Sequence, residues 1–120
     1  MTRIKSLEGA NIAIVAMGES QLDYHLSKSH SVEFDEVWGI NAMGGITECD
    51  RLFMMDPASR FFDSEDAGSQ TGIMVKTLKS HPGPIYTCEL DSRSPGLVEY
   101  PLLDVIADTR CSYFNNTVPF

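Results

Sequence analysis

Apolar residues in this chain come in short runs, separated by glycine, proline and polar stretches. The first run, Ile12-Ala13-Ile14-Val15-Ala16-Met17, shows no alternation of apolar and polar positions. Such a run reads as a strand buried on both faces, which favours a parallel sheet with helices on each side. Gly18 stops it. Ser20 then stands where a helix N-cap belongs, with Asp23 in the first turn, where the helix dipole favours negative charge. Leu22 and Leu26, four apart, give that helix a modest apolar stripe up to residues 29–31.

Residues 36–41 predict a second strand, with Trp38 as a core side chain, and residues 51–55 a third, stopped by Asp56-Pro57. Between these two strands, residues 42–49 read as a loop around Gly44-Gly45. Residues 57–69 are polar and irregular despite Phe61-Phe62, and Asp63, Glu65 and Asp66 read as a solvated acidic cluster. Residues 71–80 suit a helix ended by His81-Pro82-Gly83-Pro84, and residues 85–90 a fourth strand. Residues 91–96 are rich in turn formers, and the apolar stretch 100–106 fits either helix or strand. Residues 113–120 resemble the start of a helix, with Thr117 as N-cap and Pro119 in the first turn, so the chain reads as the first part of a longer domain.

This pattern predicts one α/β domain over residues 1–120, Rossmann-like, with a mainly parallel sheet of at least four strands and flanking helices. The length suits a single core. A formal net charge of -8 argues against a nucleic-acid partner, because phosphate backbones are met by clustered Lys and Arg. A single nucleotide remains compatible, since a glycine turn and a helix N-terminus hold one phosphate with backbone amides alone. Cys49, Cys88 and Cys111 are widely spaced and form no Cys-x-x-Cys, which predicts small buried thiols rather than a disulfide framework or a zinc site. The apolar run 12–17 is far too short for a bilayer and no long apolar region follows the basic start, so a cytoplasmic protein without membrane contact is expected. His25, His30 and His81 lack a metal spacing and read as surface residues.

In a parallel α/β sheet, ligands bind beyond the carboxyl ends of the strands. Gly18, Glu19, Ser20, Asn41 and Asp56 all fall at predicted strand ends of that kind. Gly18 lets a ligand approach the backbone, and Ser20 with the following amides suits a phosphate, although Glu19 counts against an anion directly above it. Asn41 lies 23 residues after Gly18, close to the spacing at which dinucleotide folds meet the ribose. Its amide reads a hydroxyl or a base edge, or else it simply ends a strand. Asp56, held extended by Pro57, suits a hydroxyl, a metal or a base, or an Asx turn. Asn115 and Asn116 join this edge if a helix begins near Thr117.

Three short motifs carry a resemblance: Ala16-Met17-Gly18-Glu19-Ser20-Gln21-Leu22, Trp38-Gly39-Ile40-Asn41 and Met54-Met55-Asp56-Pro57. Together they resemble the amino-terminal half of the motility-accessory-factor glycosyltransferase-like family and the bacterial CMP-sialic-acid sialyltransferases. Those families open with a Gly-x-Gly-Pro-Ser-Leu turn, then a strand ending in Asn and one ending in Asp-Pro or Asn-Pro. The resemblance implies that Gly18, Ser20 and Asn41 contact a nucleotide or nucleotide sugar. Glu19 stands in place of the usual Pro and Met17 in place of a small polar residue. The segment that carries the catalytic base in the sialyltransferases has no counterpart, so binding carries over better than glycosyl transfer. Residues 113–118 also resemble uncharacterised tailed-phage proteins of this type, which are longer. The expected function is nucleotide or nucleotide-sugar binding. The alternatives are a phage-type protein that sequesters a nucleotide signal without turnover, or an interaction module with no small-molecule ligand. A free sheet edge would admit a second copy, so a homo-oligomer is a further expectation.

Overall fold

The computed structural model describes residues 7–54, 56–64 and 68–110. Strands β1 (Ile12–Val15), β2 (Glu36–Ile40), β3 (Arg51–Phe53), β4 (Ile85–Thr87) and β5 (Leu97–Glu99) form one sheet. All four pairings are parallel, and the order across the sheet is the order along the chain, β1-β2-β3-β4-β5. The helices are α1 (Gln21–Ser29), α2 (Ser59–Phe62), α3 (Ser69–Ser80) and α4 (Leu102–Thr109). The expected Rossmann-like α/β arrangement is therefore present, with a fifth strand.

The strand order fixes where the helices go. Right-handed crossovers that always step in the same direction leave their connections on one face of the sheet. The register puts Val15, Gly39, Leu52, Ile85 and Leu97 in one row across the strands. Both buried clusters lie on that face. Leu52, Met54 and Ile85 pack with Met74 and Leu78 of α3, and Phe61 and Phe62 of α2 close over them. Val15 packs with Tyr24 of α1 and with Met43. The opposite face carries Ile14, Trp38, Ile40, Phe53, Tyr86 and Val98, and no described helix contributes to a buried cluster there.

This corrects the expectation for the first strand. Its apolar run predicts burial on both faces with helices on each side, yet Ile14 is 64% exposed. An apolar run reports that a strand lacks polar side chains. It does not report how many layers cover it.

On that second face the side chains stabilise one another. Trp38 and Phe53 have ring centroids 5.3 Å apart, and Phe53 stacks on Tyr86 at 4.8 Å. Trp38 is thus half-buried in an aromatic row rather than in the main core. At one end of the row, Glu36 accepts hydrogen bonds from Trp38 Nε1 at 2.9 Å and Arg51 Nε at 2.7 Å, and Arg51 donates to the Tyr86 hydroxyl at 2.9 Å. This network ties β2, β3 and β4 together. Arg51 holds the Glu36 carboxyl below its usual range, chiefly through the hydrogen bond.

The segment between β2 and β3 is not the loop that Gly44-Gly45 suggests. Asn41–Gly45 is a 3-10 helix in which Ala42 and Met43 are buried. Its glycines are there for space. A Cβ on Gly44 would sit 2.7 Å from Leu52 Cδ1, and one on Gly45 would sit 2.6 Å from Thr77 Oγ1. Gly39 lies beneath them, where a Cβ would be 3.0 Å from Cys49 Sγ. The 3-10 helix is therefore pressed between the sheet and α3.

Other differences are local. The irregular stretch 57–69 contains α2, whose Phe61 and Phe62 are drawn to the core. The fourth strand ends at Thr87, and β5 follows the turn-rich segment. The ambiguous stretch 100–106 is largely helical, within α4. Arg93 in the β4–β5 connection bridges Asp63 and Asp91 at 2.6 and 2.7 Å, and its guanidinium lies over Phe62. No helix among the described residues is long and apolar enough to cross a membrane.

Two predictions follow from this packing. Gly45→Ala should cost about 1–3 kcal/mol by overpacking against α3, read as a lower urea midpoint with an unchanged m-value. Glu36→Ala should cost about 1–3 kcal/mol near neutral pH, because Arg51 and the Trp38 N–H lose a charged acceptor. Since the folded state depresses the Glu36 pKa, its stabilisation is present above the ordinary carboxylate range and lost as pH falls through the folded value. The wild type should lose this increment on acidification, and the variant should show a shallower acid limb in urea titrations.

Candidate functional site

Because β1, β2 and β3 are parallel and adjacent, their carboxyl ends share one edge. Gly18, Glu19 and Ser20 form the turn between β1 and α1, Asn41 follows β2 directly, and Asp56 lies just beyond β3. Topology thus brings these five residues to the same end of the sheet. Asn115 and Asn116 lie outside the described residues.

Gly18 differs from the glycines of the core. A Cβ there would meet nothing within 4 Å, and its φ is not in the left-handed region. Neither packing nor backbone conformation requires glycine at this position, so the space above it is open. Ser20 occupies the N-cap position of α1, as its sequence context predicts, but its hydroxyl makes no capping hydrogen bond. The first turn is closed through the backbone instead. The amides of Gln21, Leu22 and Asp23 donate to the carbonyls of Gly18, Glu19 and Ser20 at 3.0–3.2 Å.

Asn41 has φ 53°, in the left-handed region. An L-residue there costs roughly 1–2 kcal/mol, and asparagine tolerates it better than most. The conformation turns the chain abruptly from β2 into the 3-10 helix. Asp56 is ion-paired with Arg60 one helical turn later, at 2.5 Å. Its backbone carbonyl lies 3.5 Å from the hydroxyl of buried Thr87 on β4. Among the described residues no group of three or more His, Cys, Asp or Glu side chains is placed to hold a metal ion.

The opposite end of the sheet holds a cleft of about 740 Å³ that sequence reasoning missed. It opens between α1 and α3, over the segments that lead into β3 and β4. Cys49 and His81 meet in its wall, with Sγ 3.3 Å from Nε2. Neither matches its expectation: Cys49 is half-buried rather than enclosed, and His81 is half-buried rather than a surface residue. Cys88, also read as buried, is exposed, and Cys111 lies outside the described residues. The two cleft residues are 32 positions apart, so no local motif announces their contact.

The backbone at Asn41 supplies a direct test. Asn41→Gly should leave stability within about 1 kcal/mol of wild type, because glycine accepts a positive φ. Asn41→Val should lose about 1–2 kcal/mol or more by equilibrium urea unfolding, since a β-branched residue resists that region.

No protein-family model matches the chain, and neither a curated protein nor a solved structure matches it.

Proposed function

We propose that the protein binds a nucleotide or nucleotide sugar across the carboxyl ends of β1, β2 and β3. The observation that carries this reading is the convergence of Gly18, Ser20, Asn41 and Asp56 on one edge, with an unfilled space at Gly18. The amides of residues 21–23 are already used within the turn, so a phosphate here meets the backbone of Glu19 and Ser20 and the uncommitted Ser20 hydroxyl. Asn41 is assigned to the nucleoside, where its amide both donates and accepts. Asp56 is assigned to a sugar hydroxyl. Its pairing with Arg60 already balances its charge, which suits a hydroxyl better than a metal ion.

If the bound species is turned over, glycosyl transfer from a nucleotide sugar is the leading chemistry. The same ion pair favours binding without turnover, because it already engages the Asp56 carboxylate. Release of the intact ligand on denaturation distinguishes the two.

The test is a thermal-shift panel of cytidine, uridine, adenosine and guanosine nucleotides and nucleotide sugars, with native mass spectrometry of the purified protein. A ligand at 100 times its Kd should stabilise the native state by about 2.7 kcal/mol. Asn41→Gly, which keeps the backbone, and Gly18→Val, which fills the open space, should each abolish that shift without lowering the ligand-free midpoint appreciably. An unchanged shift in both variants, or no shift with any member of the panel, overturns the reading.

A further inference from the structure

The cleft at the amino-terminal end of the sheet is chemically unlike the carboxyl edge. Its wall contains a thiol and an imidazole in contact, Cys49 Sγ and His81 Nε2, at 3.3 Å. The imidazole is oriented from its other side, where Nδ1 lies 3.1 Å from the Gly83 carbonyl oxygen and 3.2 Å from the Gly83 amide. The two contacts belong to different tautomers: Nδ1 accepts from the Gly83 amide when Nε2 carries the proton, and Nδ1–H donates to the Gly83 carbonyl when Nε2 is free to accept the thiol proton. The contact is built by the backbone. Gly83 is seated against Asp50, where any Cβ would overlap the Asp50 carbonyl oxygen, and this holds the His81 segment beside Cys49.

The charges of the cleft form the second observation. Lys28 from α1 and Lys76 from α3 both line it. Neither ammonium belongs to an ion pair between described side chains, although the chain carries 17 acidic residues. Lys28 rests over the Tyr24 ring, with Nζ 5.6 Å from its centroid. Of the two carboxylates in the lining, Asp50 accepts the Val37 amide at 2.7 Å and Glu48 is exposed.

We propose that this cleft is a thiol-exchange site, in which Cys49 forms a mixed disulfide with a small anionic disulfide held by Lys28 and Lys76. His81 Nε2 takes the Cys49 proton, and Sγ attacks one sulfur of the incoming disulfide. The old S–S bond breaks as the new one forms, and the departing thiolate leaves as a thiol with the proton from His81. No external oxidant is required, because the incoming disulfide is reduced as Cys49 is oxidised. Acyl transfer is disfavoured, since it needs paired donors for an oxyanion. The donor identified beside this sulfur, the Gly39 amide, acts on the sulfur itself. Burial pushes the Cys49 thiol up, so the resting group is protonated and depends on its imidazole neighbour.

The experiment compares two disulfides at equal concentration, glutathione disulfide as the anionic probe and cystamine as the cationic one. Mixed-disulfide formation at Cys49 and at exposed Cys88 is followed by peptide mass spectrometry of the full chain. Glutathione disulfide should modify Cys49 about tenfold or more faster than Cys88, and cystamine should show a much smaller preference, since only the anionic probe gains from the lysines. The double variant Lys28→Gln, Lys76→Gln, at two exposed positions, should lower the glutathione disulfide preference to that of cystamine while leaving the fold intact by circular dichroism. His81→Gln should slow Cys49 and leave Cys88 unchanged. The proposal fails if Cys49 reacts no faster than Cys88 with the anionic probe, or if both probes modify Cys49 at the same rate. It also fails if the lysine variant keeps the wild-type preference.

Discussion

The β2–β3 connection is the constraint on which most of this structure depends. Parallel neighbours are usually joined by a dozen or more residues, often a full helix. Here the link runs only from Asn41 to Asp50, and it still has to return the chain to the start of the next strand. The solution is a 3-10 helix lying close to the sheet, which leaves no room for side chains at Gly39, Gly44 or Gly45. Its closeness lets α3 come down onto Leu52 and Ile85. The same tight path forces Asn41 into a left-handed conformation at one end and delivers Cys49 to the cleft at the other. The two candidate sites are thus the two ends of one strained connection.

Much of the sheet was legible from the chain. Three apolar runs ending in Gly18, Asn41 and Asp56 announce three parallel strands with polar termini, and that edge is where those residues lie. What misled was glycine. Gly44-Gly45 reads as a turn because glycine is common where the chain bends, but these two are needed for close approach, which depends on α3 and Leu52. Only the folded neighbours reveal that. Ile14 misled in the opposite way, since its neighbours in sequence say nothing of whether a second layer covers it. The Cys49–His81 contact joins residues brought together by tertiary packing, and it lies beyond any local reading.

The two faces of the sheet are stabilised by different physics. The helical face is a buried apolar core that includes Met43, Leu52, Met54, Met74 and Ile85. The other is held laterally, by stacked rings and by the charged hydrogen bonds of Glu36 and Arg51 running across three strands. Lateral contacts of this kind align strands without requiring a layer above them. They also keep the polar ends of Trp38 and Tyr86 satisfied while their rings supply apolar area.

The strand order has a consequence for how the chain comes together. In doubly wound sheets an early strand ends up central and must wait for a later one to pair with its second edge. Here each strand joins the edge left by the one before it, so every new pairing is with the nearest neighbour in sequence. No connection that must close therefore spans an intervening strand, which limits its entropic cost. Such an order allows strand-by-strand pairing from the amino-terminal edge, the direction in which a ribosome releases the chain. Each increment adds one strand, and no completed pairing has to be reopened.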